Sequence, residues 1–423
     1  MRYTRLEDWL SWQEGLNPKT IDLGLKRTMQ VWRRLASAGL VSGAVISIAG
    51  TNGKGSTVAL FEAILKQAGC RTGSYTSPHL LRYNERIRLD GEPVPDQVIV
   101  DAFQAIDDAR GDIPLTYFEF GTLAALHIFA REKPDVVLLE VGLGGRLDAV
   151  NIIDADLAII TSIDIDHQEW LGSDRETIGR EKAGIFRQGK PAVFSGRDMP
   201  ASVADHAAKL QVPLYLNGRD YHYEKIGESW CWRGSDRVVS GLPFPNLRGG
   251  HQLDNASGVI MALELLTGNI PVNKAAIEAG LKAINLAGRQ QIMEKQGVQW
   301  VLDVAHNPHA VAALKNRLQD TPVPGRTLAV LGMLKDKDVV AVLDLMRNQI
   351  DKWHFATIDD SRGLSAESLA AMAGKMPSVL MMENHANVKQ AVDAAAAEAK
   401  SGDRVVVFGS FFTVGEALPM LVV

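Results

Sequence analysis

The chain has 423 residues, 46% of them hydrophobic, so it can bury a large core and is expected to form two or three domains of about 150 residues each. Its formal net charge is −5 and it contains no lysine and arginine block, which argues against nucleic acid or an anionic membrane as a partner. No apolar run approaches the roughly 20 residues that span a bilayer, and the N-terminal segment lacks the apolar core of a signal peptide. The two cysteines, Cys70 and Cys231, lie outside any metal-like spacing. We therefore expect a cytoplasmic protein whose partners are small molecules.

Short apolar runs alternate with amphipathic segments after a helical lead-in over residues 1–40. Strands are predicted at 44–49, 136–141 and 157–163, and helices at 56–68 and in the second half of 116–130. Strands that alternate with helices predict a parallel, doubly wound sheet. Residues 211–248, which break this rhythm with Trp, Tyr, Gly and Pro, predict short antiparallel strands that form an appendage of the first domain.

A second set of alternating runs follows helices predicted at 255–266 and 274–283. The segment 285–297 lacks clear periodicity, and we place a domain boundary there. Beyond it, strands are predicted at 299–305, 327–334, 353–358, 378–382 and 404–410. The predicted fold class is α/β: a P-loop-type parallel-sheet ATPase domain with a small antiparallel appendage over 1–287, and a smaller Rossmann-like α/β domain over 288–423.

The stretch 49-AGTNGKGST-57 lies between the first predicted strand and a helix. Backbone N–H groups and the positive end of the helix dipole converge at such a junction, which favours a bound anion. The strict phosphate-loop pattern is not met, because Ile48 occupies the first glycine position and Gly55 follows the lysine. Lys54 can still reach the β- and γ-phosphates, and Ser56 and Thr57 offer hydroxyls. The alternative is a glycine-rich turn with a surface lysine.

Glu140 is the best candidate for a metal-binding carboxylate. It closes the run 136–140 and is expected at the carboxyl edge of the sheet, the usual ligand crevice of such folds. One or two carboxylates together with phosphate oxygens suit Mg²⁺. The alternative is a structural ion pair between Glu140 and Arg146.

Two further polar residues have plain structural alternatives. His167 follows the third predicted strand, with Asp164 and Asp166 nearby, but a lone histidine is often a satisfied structural residue. Lys182 follows Arg180 and Glu181 on a predicted helix, which by itself predicts an exposed ion pair.

Eight motifs spread over nearly the whole chain have a recognisable pattern: 20-TIDLGL-25, 49-AGTNGKGST-57, 76-TSPHLLRYNERI-87, 117-YFEFGTL-123, 139-LEVGLGGRLDAVN-151, 181-EKAGIF-186, 302-LDVAHNPHA-310 and 408-FGSFFTVG-415. Taken together, they closely resemble one family of ATP-dependent amide ligases, which includes dihydrofolate synthase/folylpolyglutamate synthase and, more distantly, the Mur peptidoglycan ligases. The segments TSPHL and LEVGLGGRLDA point to the folate branch.

The resemblance implies a metal site and an activated lysine. Ser77, Glu140 and His167 match the family's Mg²⁺ ligands, and we expect two Mg²⁺ ions with ATP as co-substrate. Lys182 matches a lysine that is carbamylated in relatives, which would turn a cation into an anion near the metal. Lys54, Lys182 and His167 are thus the expected catalytic residues.

The resemblance also implies nucleotide and substrate contacts. Expected ATP-binding residues are Gly50, Thr51, Asn52, Gly53, Lys54, Gly55, Ser56, Asn255, Arg289, Asp303 and His306. Expected pterin-side residues are Asp22, Arg82, Phe118 and Asp148, with core packing as the alternative for Phe118. Arg289 and Asp303 straddle the predicted boundary, so domain closure is expected to complete the site. Gln290 and Phe412 depart from the family pattern, and Phe412 puts contacts in the second domain in doubt.

The implied activity is ATP-dependent joining of L-glutamate to dihydropteroate, giving dihydrofolate, and to reduced folates, through an acyl phosphate. The expected protein is a monomer, as is usual in the family. One alternative is a related Mur-type ligase with another acid acceptor. Another is a nucleotide-dependent switch, although 335-KDKD-338 is a poor substitute for a base-reading N/T-K-x-D element.

Overall fold

The computed structural model describes residues 2–17, 19, 21–35, 41–268, 270–376 and 381–422. They form two compact units. Unit 1 contains the residues up to Asn246 together with Gln252–Ile284, and unit 2 contains Leu247–His251 and the residues from Asn285 onward. None of the described helices is both long and apolar enough to cross a membrane.

Unit 1 is built on a large sheet whose described strands run in the order β4-β3-β2-β5-β1-β6-β7-β8. Strands β2, β5, β1, β6, β7 and β8 are parallel, whereas β3 and β4 continue one edge in antiparallel pairing. In chain order the strands are β1 Ala44–Ala49, β2 Thr72–Tyr75, β3 Ile87–Leu89, β4 Glu92–Pro93, β5 Val136–Glu140, β6 Leu157–Ile160, β7 Ala192–Phe194 and β8 Leu214–Leu216.

Helices cover the sheet of unit 1, which is why its central strands are buried and read as continuous apolar runs. The helix after β1 buries nine of its fourteen residues, including Phe61 and Ile64. The described helices are α1 Leu6–Glu14, α2 Lys26–Leu35, α3 Lys54–Gln67, α4 Asp96–Arg110, α5 Tyr117–Glu132, α6 Gln168–Leu171, α7 Arg175–Ala183, α8 Ala201–Lys209, α9 His251–Leu265 and α10 Lys274–Ala283.

The antiparallel appendage is a three-stranded sheet in the order β11-β10-β9. Its strands are β9 His222–Ile226, β10 Ser229–Arg233 and β11 Val238–Pro243. The fully buried Trp230 and Trp232 anchor β10, and Trp232 Nε1 donates to Ser257 O of α9 at 3.1 Å. The predicted fold class is therefore confirmed, with one difference: β8, inside the predicted appendage, is a parallel strand of the large sheet.

Unit 2 contains a six-stranded sheet in the order β12-β13-β17-β14-β15-β16, parallel except for the antiparallel edge strand β12. Its strands are β12 Gln291–Lys295, β13 Val298–Asp303, β14 Thr327–Leu331, β15 Lys352–Ala356, β16 Met382–His385 and β17 Arg404–Phe408. Its helices are α11 Pro308–Asp320, α12 Val339–Met346, α13 Ala366–Ala373, α14 Val388–Glu398 and α15 Phe411–Leu421.

Several elements differ from the sequence expectation. Strand β12 lies in the segment 285–297 that shows no clear periodicity, because an edge strand with partial burial leaves only a weak apolar signal. Helix α5 begins at Tyr117, half a helix earlier than predicted, since Thr116 and Glu119 form a reciprocal cap. The strand predicted at 378–382 falls partly on residues 377–380, outside the described residues, and β16 begins at Met382.

Candidate active site

The predicted phosphate loop connects β1 to α3. A Cβ on Gly50 would overlap Thr161 Oγ1, so the close approach of these two segments requires glycine. Gly53 has φ 89°, a left-handed conformation, and it caps α3, which begins at Lys54. The N-terminus of α3 is therefore presented at the carboxyl end of β1, a geometry that suits a phosphate group.

The end of β6 holds this loop in place. Thr51 N donates to Ser162 O at 2.7 Å, and Thr51 Oγ1 donates to Asp164 O at 3.0 Å. Thr161 Oγ1 donates to Asn52 O at 2.6 Å. The loop is thus fixed by several hydrogen bonds, which is the preorganisation that anion binding and phosphoryl transfer need.

Two lysines converge on the same backbone oxygen of this loop. Lys54 Nζ donates to Gly50 O at 3.1 Å, and Lys182 Nζ, from α7, donates to it at 3.0 Å. Lys182 is only 4% exposed, and burial, with the nearby charge of Lys54, lowers its pKa to about 7. Glu181 pairs instead with Arg146 at 2.9 Å, so the exposed ion pair considered for Lys182 is wrong.

Helix α9 contributes two hydrogen-bonded polar side chains next to the loop, and the sequence predicted only one of them, Asn255. Asn255 lies against Gly53, where an added Cβ would stand 2.9 Å from Asn255 Oδ1. Asn255 Nδ2 donates to Gln252 Oε1 at 3.1 Å, and Gln252 Nε2 donates to Ser56 Oγ at 3.3 Å. Gln252 was missed, and its only sequence signal was the spacing of three residues from Asn255, which places both on one helix face.

Two of the three expected metal ligands lie together. Glu140 ends β5, is 4% exposed, and its Oε2 accepts from Ser77 N at 3.3 Å. His167 lies beyond β6 at the start of α6, with φ 52°, and its backbone N–H donates to Asp166 Oδ1 at 2.8 Å. The charge of Asp166 raises the pKa of Lys182, so the segment that carries His167 lies near Lys182. Arg146, the alternative partner for Glu140, pairs with Glu181.

The donor set fits a hard divalent cation. A buried carboxylate and a serine, with phosphate oxygens and water, supply the oxygen ligands that Mg²⁺ prefers. His167 would add a neutral imidazole, which Mn²⁺ and other transition ions accept readily.

Asp148 and Phe118 lie around the loop that follows β5. Asp148 accepts from Leu143 N at 2.8 Å and from Val150 N at 3.0 Å. Burial raises the pKa of Asp148 to about 6, against these hydrogen bonds and the charge of Lys54. The Phe118 ring is half-buried, lies 5.8 Å from the Tyr75 ring and leaves no room for a side chain at Gly142. The Phe118 ring therefore packs against Tyr75 and Gly142 while part of its surface stays exposed to solvent.

Asp22 and Arg82 are held by other neighbours. Asp22 Oδ2 accepts from Arg27 Nη1 at 2.6 Å, and Arg27 also binds Glu119 of α5. Arg82 is exposed and pairs with Asp96 at 3.1 Å. Among the described residues, no hydrogen bond or ion pair joins either residue to Asp148 or to the phosphate loop.

The other expected nucleotide residues lie in unit 2. The Arg289 guanidinium lies 4.9 Å from the centre of the Phe411 ring. Burial raises the pKa of Asp303 to about 6, and the charge of Arg289 opposes this shift, so the two residues are neighbours. His306 Nδ1 lies 2.8 Å from Val304 O. Phe411, which sequence reasoning missed, is thus the ring that supports Arg289.

The two departures from the family pattern have different surroundings. Gln290 is buried with φ 47° and leaves the adjacent Arg289 in contact with Phe411. Phe412 is 36% exposed, and the Arg362 guanidinium lies 5.9 Å from its ring centre.

Comparison with known families identifies the class of protein. Residues 48–263 match the Mur ligase middle domain, and residues 288–411 match the Mur ligase glutamate ligase domain. Together with the phosphate loop, this defines an ATP-dependent ligase of the Mur ligase family.

The more particular family follows from full-length relatives. The chain is 44% identical to the dihydrofolate synthase/folylpolyglutamate synthase of Escherichia coli K12, over 98% of this chain and 95% of the relative. It is 40% identical to that of Haemophilus influenzae, over 97% and 96% of the two chains. The chain belongs to the dihydrofolate synthase/folylpolyglutamate synthase family.

Solved structures agree with this assignment. E. coli FolC in complex with DHPP and ADP is similar, with a TM-score of 0.92 and 43% identity over 99% of this chain and 97% of that one. The Yersinia pestis enzyme complexed with AMPPNP and Mn ion has a TM-score of 0.91 and 44% sequence identity, over 99% of this chain and 98% of that one. A bifunctional synthase with Mn, AMPPNP and L-glutamate bound gives the same values.

Proposed function

We propose that this chain is an ATP-dependent ligase that joins L-glutamate to dihydropteroate and adds glutamate to reduced folates. The observation that carries the proposal is a fixed phosphate loop with two converging lysines, in a chain 44% identical over nearly its whole length to synthases of this kind. Solved relatives bind ADP with DHPP, or AMPPNP with Mn and L-glutamate, which are the reactant types that this reaction needs.

The chemistry requires activation of a carboxylate, because a carboxylate is a poor electrophile at neutral pH. We infer that the γ-phosphoryl group of ATP passes to the acceptor carboxylate, giving an acyl phosphate and ADP. The glutamate amine then attacks the acyl carbon, and phosphate leaves. The N-terminus of α3 and Lys54 would hold the transferring phosphates, since phosphoryl transfer depends chiefly on positioning and charge stabilisation.

A divalent cation, Mg²⁺ in the proposal, would lower the charge of the phosphates and polarise the transferring group. Ser77, Glu140 and His167 would hold it, and two ions are proposed in all. The position of Glu140 supports this role, because it ends β5 as a buried carboxylate whose Oε2 accepts from Ser77 N at 3.3 Å.

Lys182 is proposed to carry a carbamate. Its neutral amine would add to CO₂ and release one proton, forming an N-carboxylate. A pKa near 7 supports this step, because an ordinary lysine at pH 7 is almost entirely protonated and unreactive towards CO₂. The new anion would place a negative charge near Lys54.

The remaining expected residues are assigned by the resemblance and by their positions. Asn255 would contact ATP from α9, and Arg289, Asp303 and His306 are proposed ATP contacts of unit 2. The proposed pterin-side residues are Asp22, Arg82, Phe118 and Asp148. The domain limits 1–287 and 288–423, a monomeric state and a cytoplasmic location are part of the same proposal.

A coupled assay of ADP release tests the activity. With ATP and L-glutamate present, ADP should appear when dihydropteroate is supplied and also when a reduced folate is supplied. A Mur-type ligase for another acid would ignore both acceptors, and a nucleotide switch would release ADP or GDP without either.

A matched pair of variants on α3 tests the role of the phosphate loop. Lys54→Ala should abolish acceptor-dependent ADP release, because Lys54 is proposed to hold the transferring phosphates. Its Nζ lies at the loop, where it donates to Gly50 O. Lys66→Ala, at the far end of the same helix and in a loose pair with Glu92, should retain it. Equal activity of both variants would remove Lys54 from the mechanism.

A further inference from the structure

Three metal-ligating side chains meet in unit 2 at the edge of its sheet. His354 of β15 and both Glu383 and His385 of β16 place their ligand atoms within 4.8 Å of one another. In the parallel pairing of the strands, His354 lies opposite Glu383, and His385 lies two residues further along β16. Alternate residues share a strand face, so the three side chains project from one side of the sheet.

The separations suit a single ion. His354 Nδ1 lies 3.1 Å from His385 Nε2. Glu383 Oε2 lies 3.7 Å from His354 Nδ1 and 3.9 Å from His385 Nε2. Ligands at ordinary zinc distances in a tetrahedral site are about 3.4 Å apart. Small side-chain movements would therefore bring all three atoms to bonding distance.

The neighbouring charged side chains contact atoms other than the three that face one another. Lys352 Nζ binds Glu383 through Oε1, at 2.9 Å, so the oxygen that faces the imidazoles is the other one. Glu398 Oε2 lies 3.8 Å from His354 Nε2 and pairs with Lys352, whereas Arg326 pairs with the other oxygen of Glu398, Oε1. A carboxylate behind a histidine is the usual outer partner that directs the opposite ring nitrogen at a metal.

Burial limits the partners that His354 can find. The His354 side chain is fully buried, and its Nε2 has no hydrogen-bond partner. Buried polar atoms normally have a partner, and binding at Nδ1 would fix the proton on Nε2, where Glu398 is the nearest acceptor. Glu383 is half-exposed, which gives an ion a route from solvent and leaves space for water as a further ligand.

We propose that His354, Glu383 and His385 form a second metal site, separate from the predicted Mg²⁺ site, which binds a divalent transition ion of the Zn²⁺ or Co²⁺ type. Two imidazoles and one carboxylate favour such ions over Mg²⁺. The bound ion would join the edge strand β16 to β15 and so stabilise unit 2.

Zinc and cobalt binding to the full chain tests the proposal. The protein is freed of metal with a chelator and titrated in excess Mg²⁺, with Co²⁺ followed by its visible absorption and Zn²⁺ by calorimetry. Wild type is expected to bind one ion that His385→Gln loses. Removing a ligand should weaken binding by more than the about 10-fold loss that changing an outer partner produces.

The control is His222→Gln, an exposed histidine on β9 in unit 1, which should bind as wild type does. Glu383→Gln is a second ligand variant that leaves the buried His354 unchanged, and circular dichroism checks that each variant is folded. Zinc should raise the thermal unfolding temperature of wild type and of His222→Gln, but not of His385→Gln. Equal zinc binding by wild type, His385→Gln and Glu383→Gln, or no binding by wild type at micromolar zinc, would overturn the proposal.

Discussion

Lys182 shows, at the scale of a single residue, how burial changes the chemistry of an amine. The side chain has lost most of its contact with water, and Lys54 points at the same oxygen of Gly50. Both effects disfavour the ammonium form, and the neighbouring Asp166 and Asp148 only partly oppose them. The sequence context, in which Arg180 and Glu181 directly precede Lys182, gave no sign of this.

The carbamate proposal makes a prediction about activity. Lys182→Ala should lower turnover by about 100-fold or more, the scale of effect seen when one preorganised charge-stabilising group is removed. Small carboxylic acids should restore part of the turnover by supplying the missing anion. Lys190→Ala, which removes an exposed lysine paired with Asp156, should have little effect and no response to added acids. Full activity of Lys182→Ala would exclude the carbamate.

The lowered pKa of Lys182 also makes a prediction about stability. In CO₂-free buffer the folded protein has a pKa of about 7 at this site, against 10.5 in the unfolded chain. The unfolded state therefore binds more protons between these values, and the cost of burying the charge, full below pH 7, falls as the pH rises. Lys182→Met removes the titrating group.

The unfolding temperatures of wild type and Lys182→Met, measured from pH 6 to 9, test this. Wild type should gain stability relative to the variant as the pH rises above about 7, the pKa of the buried amine. A difference in unfolding temperature that does not change with pH would mean that burial does not lower the pKa of Lys182.

At the scale of elements, the phosphate loop depends on how α3 is supported. Helix α10 packs against α3 at Gly280, where an added Cβ would stand 2.6 Å from the backbone Cα of Ile64. A backbone atom cannot move aside as a flexible side chain can. The close approach of the two helices is therefore possible only with glycine at this position.

Gly280→Ala is expected to destabilise unit 1 by about 1–3 kcal/mol, the usual range for overpacking a core contact. It should also weaken nucleotide binding, because α3 carries the phosphate loop at its N-terminus. The matched control is Gly268→Ala, where an added Cβ meets nothing within 4 Å. Denaturant unfolding and titration with ADP measure both effects, and equal stability of the two variants would contradict the packing argument.

The elements differ in how well their sequences predict them. Helix α10 has the bounds Lys274–Ala283 that its pattern predicts, because Asn273 caps it and its apolar residues recur at helical spacing. Strand β7 was not predicted, and β8 was expected only as part of the antiparallel appendage, since three residues of strand are too few to establish a period. β12 was missed because this edge strand is only partly buried and so leaves a weak apolar signal.

At the scale of the whole molecule, the proposed monomer predicts a solution mass. Light scattering after size exclusion should give about the chain mass of 46.0 kDa, at protein concentrations where activity is measured. Adding ATP analogue and Mg²⁺ should leave this mass unchanged, because the expected substrate contacts all come from one chain. A mass of twice this value would contradict the proposal.

The candidate site was predictable to the extent that its residues belong to local motifs. The glycines, Lys54 and Glu140 follow from strand ends and turn chemistry, and the resemblance added Ser77, Asn255 and Asp303. The hydrogen bond from Gln252 to Ser56 joins residues 196 positions apart, so no local pattern contains it.

The sequence by itself determined the α/β class, the strand–helix junction at Gly53–Lys54 and the family. These features depend on residues a few positions apart, where periodicity and turn preferences act. Only the tertiary structure decided that Lys182 meets Gly50, 132 positions away, and that His354 meets His385. Such contacts follow from the strand orders β5-β1-β6 and β14-β15-β16, which bring distant segments to one sheet edge and remove their side chains from water.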